Sequence, residues 1–286
     1  MISAASVTLS PKDDGMDHGA DVAVAMPMPL TKTSSVPALE RGLAILEAVA
    51  KSRSGLTLSQ LTRALDLPKS SVFCLLLTLE RAGYLHRNPV TKRYQCEMKL
   101  VRIAGQALEG ITLRDKARPV LRKLLEQTHL TVHMGIAGEN EVTLIEKLDP
   151  YTNSSMATWI GKGLDFHCTS LGKCLLAFSP EPDVDRILSN HALLRHNENT
   201  IATAQRLKTE LAKVRSLGFA VDDEEEEIGV RCIGAPVLDR QGRAIAAISI
   251  SGDIAHIDVA NSSALCMKVR KAAELLSKEM NSASRF

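Results

Sequence analysis

The stretch DLPKSSVFCLLLTLERAGYL, residues 66–85, decides the fold of the first part of the chain. Pro68 suits the start of a helix, because proline lacks the amide hydrogen that the first helical turn leaves unpaired. Gly83 ends the helical pattern, since glycine adopts the left-handed conformation that often follows a helix. Apolar residues recur between them at helical spacing, which predicts a buried stripe made of Val72, Leu75, Leu76 and Leu79.

Two further helices are predicted before this one. The segment TLSQLTRAL, residues 57–65, opens with Thr57 and Gln60, which have the spacing of a capping box. Residues 38–51 carry apolar side chains at i, i+4, i+7 and i+11, one stripe of an amphipathic helix. The residues expected to face the core are Leu58, Leu61 and Leu65 in the shorter helix and Leu39, Leu43, Leu46 and Ala50 in the longer one.

A basic hairpin is predicted directly after the third helix. The segment YLHRNPVTKRYQC, residues 84–96, places apolar and aromatic residues on either side of a turn at Asn88 and Pro89. Three helices and such a hairpin predict a winged helix-turn-helix, in which the third helix enters the major groove of DNA and the hairpin contacts the backbone or minor groove. The side chains expected to contact DNA are Lys69, Ser70, Ser71, Phe73, Cys74 and Thr78 in the helix and His86, Arg87, Lys92 and Arg93 in the hairpin.

The distribution of charge favours a polyanionic partner for this part of the chain alone. Residues 38–110 contain 11 basic and 6 acidic residues, a net charge of +5, whereas residues 111–286 contain 22 and 23. A basic domain with a basic hairpin indicates double-stranded DNA as the partner. The alternative is a three-helix interaction module whose basic face is solvated and never touches DNA.

The chain of 286 residues, 45% of them hydrophobic, is long enough for two domains. We expect residues 1–37 to be a disordered tail, 38–97 the winged domain, 98–113 a linker helix and 114–286 the second domain, because the tail is polar and lacks periodicity. No run approaches the roughly 18 to 20 apolar residues that span a bilayer. The six cysteines show neither CxxC spacing nor a secretory context. These features predict a cytoplasmic protein with reduced thiols and no membrane partner.

The second half mixes strand-like and helical segments without regular alternation. Strands are predicted at LTVHMGIAG, NEVTLIEKLD, GFAVD, VRCIGAPVLD and RAIAAISISGD. Helices are predicted at LRDKARPVLRKLLEQTH, KCLLAFS, AQRLKTELAKVRSLG and residues 262–280. This order predicts an α+β domain with a mainly antiparallel sheet and with helices packed on one side of it.

Five segments together resemble the IclR family of bacterial transcriptional regulators. They are GLTLSQLTRALDLPKSSV, the linker helix, HCTSLGKCLLA, GFAVDDEEEEIGVRCIGAPVLD and AAISISGD, and the resemblance extends over residues 37–279. It implies a winged helix-turn-helix joined by a linker helix to a GAF-like effector-binding domain, assembled as a homodimer or a dimer of dimers. It also implies a regulator that binds operator DNA, and we expect a repressor of catabolic genes whose effector is a small organic acid, such as a sugar acid or an aromatic acid.

The resemblance further implies where the effector would bind. The residues that match the family's effector contacts are Ser170, Leu171, Asp222, Cys232, Ser249 and Ser251. Leu171 is larger than the residue common at that position in the family, which alters the shape of the site. Phe73 and Cys74 stand where many relatives carry a polar pair in the recognition helix, so the operator sequence does not carry over.

Elementary geometry agrees with that placement. Ser249 and Ser251 are two residues apart in a predicted strand, so their side chains share one face. Ser170 opens a predicted helix, where free amide groups suit a carboxylate; in the alternative, Ser170 only caps the helix and the strand serines only bond the backbone. Asp222 is expected to point inward and accept a hydrogen bond from an effector hydroxyl, whereas residues 224–227 are expected to form a solvated acidic face.

Metal and covalent chemistry are expected to be absent. His167, Cys168, Cys174 and Cys232 have no zinc-binding spacing, and adjacent residues of a strand, as in His167 and Cys168, point to opposite faces. We therefore expect no metal, no cofactor and no catalytic residue. The alternative from a different functional class is an enzyme of small-acid metabolism that uses Cys232 or the region of Cys168, with the N-terminal module as an adaptor.

Overall fold

A computed structural model describes residues 36–150, 157–190, 192–258 and 262–282. The predicted disordered tail lies outside these residues except at its end, where Pro37 is the first residue of a helix rather than part of the tail. Proline is well tolerated there, because the amide hydrogen it lacks would have no partner within the helix.

Three helices and a small antiparallel sheet form the N-terminal unit, which confirms the predicted winged helix-turn-helix. Its elements are α1 (Pro37–Lys51), β1 (Leu56–Thr57), α2 (Leu58–Leu65), α3 (Lys69–Arg81), β2 (Leu85–Arg87) and β3 (Arg93–Cys96), and the strand order is β1–β3–β2. The capping box is present, because the Thr57 hydroxyl accepts the Gln60 amide and the Gln60 side-chain oxygen accepts the Thr57 amide. In α3 the predicted stripe is confirmed, with Val72 and Leu76 fully buried.

The buried face of α1 differs from the prediction. Ile45, Val49 and Gly42 are buried, whereas Leu39 and Leu43 are 62% and 50% exposed. Because α1 is apolar on more than one side, the helical period alone admits two faces, and packing against α3 selects between them. The predicted stripe is therefore wrong for Leu39, Leu43 and Ala50, which are exposed, whereas Leu46 is partly buried and packs against the core as predicted.

Two consecutive helices connect this unit to the larger sheet. In α4 (Met98–Glu109) no residue is buried, and α5 (Thr112–Thr128) begins after a break at Gly110 and Ile111. The helical part of the predicted linker thus ends at Glu109, and the following helix begins two residues before the predicted domain boundary at residue 114.

The C-terminal unit is built on a six-stranded sheet of order β6–β5–β4–β9–β8–β7. Every described pair of neighbouring strands is antiparallel, which confirms the predicted sheet. Its elements are β4 (Thr131–Ala137), β5 (Val142–Leu148), β6 (Gly163–Leu164), α6 (Ser170–Ala177), α7 (Glu181–Asn190), α8 (Ala204–Leu217), β7 (Ala220–Asp223), β8 (Val230–Leu238), β9 (Ala244–Asp253) and α9 (Ser263–Ser282).

Helices cover both faces of this sheet. Ile248 and Ile250 of β9 belong to a core that includes α5 and α9, whereas Ala247 belongs to a second core with α6 and α8. The prediction of helices on one side only is therefore wrong. The physical reason is that Ser249 and Ser251 are buried almost as deeply as the neighbouring Ile248 and Ile250. The alternation along β9 therefore separates two buried faces rather than a buried face and a solvent-exposed one.

The helix α9 packs along the sheet through one stripe. It buries Cys266, Val269, Ala273 and Leu276 and exposes the polar residues between them. In the part of the chain that the structure describes, no helix is both long enough and apolar enough to cross a membrane.

Candidate functional site

The outward face of α3 carries most of the predicted DNA contacts. Ser71 lies half-buried at the edge of this face, and the Thr78 hydroxyl donates a hydrogen bond to the Cys74 carbonyl at 2.9 Å. The exposed contacts recur at helical spacing on the side of α3 away from the buried stripe, so they form one solvent-facing surface of the helix. The exposed predicted contacts are Lys69, Ser70, Phe73, Cys74 and Thr78.

The hairpin presents two exposed cations beside this helix. The Asn88 side-chain oxygen accepts hydrogen bonds from the amides of Val90 and Thr91, both at 2.9 Å, and Lys92 adopts a left-handed φ of 56°. This local bonding fixes the turn. It leaves the side chains of Arg87 and Lys92 exposed.

The other two predicted hairpin contacts are engaged within the protein. Arg93 donates to the Gly55 carbonyl at 2.7 Å and to the Gln60 side-chain oxygen at 3.4 Å, which joins β3 to the start of α2. His86 Nδ1 lies 3.1 Å from a carboxylate oxygen of Glu97. Arg93 and His86 therefore have partners within the protein, although the His86 side chain remains 45% exposed.

Four polar side chains lie in one row across the six-stranded sheet. The strand register pairs Asp222 with Cys232, Cys232 with Ser251, and Ser251 with Thr131. Directly paired residues point to the same side of a sheet, so these four side chains, from four strands, share one face. Three of the six predicted effector contacts thus lie next to one another.

A second row on the same face brings in Ser249. The register pairs Ser249 with His133, and His133 with Lys147 of β5. Ser249 and Ser251 are two positions apart, so the two rows are neighbours, as predicted. The name polar face is used below for Thr131, His133, Lys147, Asp222, Cys232, Ser249 and Ser251.

Hydrogen bonds connect the middle of the polar face. The Ser251 hydroxyl donates to the Cys232 sulfur at 3.1 Å and lies 3.3 Å from His133 Nδ1. His133 Nε2 lies 2.9 Å from the Thr158 hydroxyl. Buried polar groups need hydrogen-bond partners, and these bonds supply partners for the buried side chains of Ser251 and His133.

Burial shifts the protonation of the polar face toward neutral forms. Burial raises the pKa of Asp222 to about 7, against the lowering effect of the Glu225 amide bond and of Lys173. Burial and Lys147 lower the pKa of His133 to about 4. Burial and the charge of Asp222 raise the pKa of the Cys232 thiol well above its usual value. A neutral imidazole and a protonated thiol make this a hydrogen-bonding site and argue against a thiolate nucleophile.

The helix α6 begins against the polar face. Thr169, not Ser170, is the N-cap, because its hydroxyl accepts the Gly172 amide at 3.1 Å. A Cβ on Gly234 would lie 2.9 Å from the Ser170 carbonyl oxygen, so only glycine at that position of β8 lets the helix approach this closely. Ser170 and Leu171 are both buried there, which brings all six predicted effector contacts to one side of the sheet.

The acidic run after Asp222 is only partly a solvated face. The Lys173 side chain is completely buried and bonds the Glu225 carboxylate and the Val221 carbonyl, and a carboxylate oxygen of Glu210 lies 3.9 Å away. Asp222 accepts the Glu225 amide at 2.8 Å. The prediction of a solvated face over residues 224–227 is therefore wrong for Glu225, because that carboxylate neutralises a buried cation.

Sequence reasoning missed four residues that the geometry places at this site, namely Thr131, His133, Lys147 and Lys173. Thr131 and His133 are two positions apart in the predicted strand LTVHMGIAG, so the period of a strand could have placed both side chains on one face. Lys173 had no such signal, because it stands in an apolar helix and its partner Glu225 is distant in sequence.

A separate cavity lies at the other end of α6. A cavity of about 490 Å³ is lined by residues that include Phe178, Val184, Leu211, Arg215 and Arg243. It contains none of the predicted site residues. The polar face holds the buried hydrogen-bonding groups and is therefore the candidate binding site.

Four potential metal ligands meet beside the start of α6. Asp165, His167 and Cys168 come from the segment before the helix, and His196 comes from the segment before α8. The donor atoms of these four side chains all lie within 4.8 Å of one another. No spacing in the sequence indicates this group, because its fourth member is brought in by the fold.

Comparisons with known proteins agree with both units of the structure. Residues 38–89 match the family described as the IclR helix-turn-helix domain, and residues 105–278 match the family described as the bacterial transcriptional regulator IclR C-terminal domain. The chain is 31% identical to the HTH-type transcriptional regulator XynR of Escherichia coli (strain K12), over 86% of this chain and 97% of that protein. It is 30% identical to the transcriptional repressor IclR of the same organism, over 79% of this chain and 83% of that protein.

A solved structure shows the same architecture. The chain is 29% identical to the IclR of Thermotoga maritima, with a TM-score of 0.66 over 85% of this chain and 98% of that one. These relatives are transcriptional regulators and not enzymes, which decides against the alternative of a cysteine enzyme. From the matched domains, the relatives and the fold, we conclude that the chain belongs to the IclR family of bacterial transcriptional regulators.

Proposed function

We propose that this regulator is a repressor of catabolic genes whose affinity for operator DNA changes when a small organic acid binds the polar face. A sugar acid or an aromatic acid has the chemistry that this face accommodates. Repression is supported by the relative described as a transcriptional repressor. Because its target is operator DNA, we expect the protein to act in the cytoplasm.

The observation that carries the proposal is the cluster of buried hydrogen-bonding groups on one face of the sheet. Ser249, Ser251 and Asp222 are each 2–3% exposed, although serine and aspartate are usually at the surface. Buried polar groups retained in a core beside a helix start are typical of ligand sites. Hydroxyls of an effector would replace or extend the existing hydrogen bonds.

The charge state of the face suits an acid. With a pKa of about 7, Asp222 is largely protonated in mildly acidic solution and then donates a hydrogen bond instead of repelling a carboxylate. The positive end of the α6 dipole, at Ser170, adds a favourable field for an anion. Leu171 lies beside them and limits the size of the acid.

DNA binding is assigned to the exposed face of α3 and to the hairpin. The exposed Lys69 lies at the helix start, where backbone amide groups also favour a phosphate. We assign Arg87 and Lys92 to phosphate contacts and the helix side chains Ser70 and Cys74 to base edges in the major groove.

A homo-oligomer, a dimer or a dimer of dimers, is supported by the unburied α4. Met98, Val101 and Ile103 are 67%, 59% and 42% exposed, so this helix has apolar side chains that a second copy would cover. Two DNA-binding units in one assembly would bind two half-sites. An effector would then act by favouring one arrangement of the units, and only as strongly as it prefers that arrangement.

The proposal is tested by measuring the affinity of the full-length protein for the DNA upstream of its own gene. A footprint over a salt series, with and without a panel of sugar and aromatic acids, should show a two-fold site whose affinity falls steeply with salt. One acid should change that affinity by roughly 5- to 150-fold. A protein that binds this DNA equally well with every acid would contradict the effector proposal and leave the DNA-binding assignment intact.

A further inference from the structure

Asp165, His167, Cys168 and His196 offer one carboxylate, two imidazoles and one thiol at a single point. These are the ligand types that zinc takes in proteins, and four of them complete a tetrahedral shell. With bonds of about 2.0 to 2.3 Å, the ligand atoms of such a shell are roughly 3.3 to 3.8 Å apart. Donor atoms already within 4.8 Å of one another need only small side-chain rotations to close around an ion.

We propose that these four side chains form a binding site for a divalent transition metal ion of the zinc type. Each donor has a separate reason to take part. The site adjoins the polar face but shares no side chain with it, and it does not depend on which effector that face binds.

His167 already has the partner expected of a metal-bound histidine. Its Nε2 lies 2.8 Å from the carbonyl oxygen of Leu194. Metal-bound imidazoles commonly donate their other ring N–H to such a group, which fixes the orientation of the ring. This bond leaves Nδ1 of His167 as the donor to the ion. The two imidazole rings lie 6.2 Å apart and nearly parallel, at 18°.

His196 and Asp165 supply the side of the site that is open to solvent. His196 Nε2 and a carboxylate oxygen of Asp165 are 2.7 Å apart, and both side chains are about one-third exposed. A proton shared between an imidazole and a carboxylate occupies the place that a metal ion takes when it binds both. Metal binding at Nε2 would replace this hydrogen bond, with the N–H of a neutral imidazole moving to Nδ1, and would release the proton of the Cys168 thiol. The exposure of this pair also provides the path by which an ion enters.

The surroundings of Cys168 are negatively charged. The thiol is completely buried, and burial together with the carboxylates of Glu226, Asp165 and Asp222 holds its pKa well above the usual value. The same carboxylates that disfavour a bare thiolate stabilise a divalent cation at that point, since a cation reverses the sign of the local interaction.

A bound ion would connect two segments that are otherwise distant in sequence. Cys168 directly precedes Thr169, which caps α6 next to the polar face, and His196 precedes α8. The ion would therefore hold the start of α6 against the segment before α8. This makes it a structural support for one wall of the polar face.

Cobalt(II) substitution tests the site in the full-length protein after treatment with a chelator. We expect one Co²⁺ per chain, with the intense visible bands of tetrahedral cobalt and a near-ultraviolet thiolate-to-cobalt charge-transfer band. Cys168→Ser should lose the charge-transfer band. His196→Ala removes a partly exposed side chain that belongs to neither core of the C-terminal unit, so we expect the fold to be retained, and it should weaken Co²⁺ binding by at least about tenfold.

His256→Ala is the matched control, because His256 is exposed and also lies 2.7 Å from a carboxylate, that of Asp253. This variant should bind Co²⁺ as the wild type does. A wild-type protein without a charge-transfer band would overturn the proposal. So would a band of equal intensity in Cys168→Ser, or a His196→Ala variant that binds Co²⁺ with unchanged affinity.

Discussion

The outward face of α3 and the polar face of the six-stranded sheet use similar side chains under opposite conditions. On α3, Lys69 and Ser70 are exposed, and water satisfies their polar groups whenever no ligand is bound. On the sheet, Ser251 and Asp222 are almost completely buried, so their partners must come from the protein or from a ligand. The first surface therefore acts through charge and responds to salt, whereas the second acts through hydrogen bonds and responds to protonation.

The largest effect is expected from removing the buried cation beside the polar face. Lys173→Met leaves Glu225 buried without its partner, and we expect a loss of about 3 to 5 kcal/mol in the free energy of unfolding. Urea denaturation measures this loss. Adding Glu225→Gln should recover part of it, because no uncompensated charge then remains.

The control is an exposed ion pair. Lys208→Met removes an exposed lysine paired with Asp185 at 2.7 Å and should leave the denaturation midpoint nearly unchanged. Equal midpoint shifts in the two lysine variants would contradict the contrast between buried and exposed pairs.

The second effect concerns the protonation of Asp222. Its folded-state pKa of about 7 lies above the ordinary value of 3.8, so the folded chain holds the proton more tightly than the unfolded chain. The contribution of Asp222 to the free energy of unfolding is then highest below about pH 4 and falls as the pH rises toward 7, with a slope of up to about 1.4 kcal/mol per pH unit. Asp222→Asn should lack this slope. Unfolding curves at several pH values measure it, and parallel curves for the two proteins would mean that Asp222 titrates normally.

A smaller effect is expected from the cations of the DNA-binding surface. Replacing both Lys69 and Lys92 by alanine should reduce the slope of log affinity against log salt by about 2 for each DNA-binding unit that is bound, since each phosphate contact contributes about 0.9. Stability should not change, because both side chains are exposed. Lys123→Ala removes an exposed lysine of α5 and is the control. An unchanged salt slope in the double variant would mean that these lysines do not contact phosphate.

The smallest effect is expected from Arg93→Ala, and it distinguishes the role of Arg93 from that of its neighbour Lys92. Arg93 bonds the Gly55 carbonyl, so Arg93→Ala should lower the free energy of unfolding by about 1 kcal/mol. The salt dependence of DNA binding should stay the same. Thermal unfolding and DNA titration of the two single variants distinguish a structural from a DNA-contacting arginine, and a reduced salt slope in Arg93→Ala would return this residue to the DNA-binding surface.

Local signals in the sequence predicted much of the fold. The capping box at Thr57 and Gln60 and the buried stripe of α3 depend on residues within a few positions of one another, so the pattern contains the information. The period-2 argument likewise placed Ser249 and Ser251 on one face. Where the helical pattern admitted two solutions, as in α1, the choice was made by packing against another helix.

The remaining features depend on contacts between distant segments. Neither the pairing of Lys173 with Glu225 nor the meeting of His196 with Cys168 leaves a spacing in the sequence, because strand register and helix packing bring them together. The family resemblance supplied the position of Asp222, but its raised pKa follows from burial, which the sequence does not state. Polar residues in buried elements are the positions at which pattern-based reasoning was weakest.

The account is tested most directly by operator affinity with and without the active acid, in the wild type and in a Ser249→Ala and Ser251→Ala double variant. The double variant removes two buried hydroxyls from the polar face and leaves α3 and the hairpin unchanged. We predict that the acid changes the operator affinity of the wild type by roughly 5- to 150-fold and that of the variant by less than about twofold. An equal response of both proteins to the acid would contradict the claim that the polar face is the effector site.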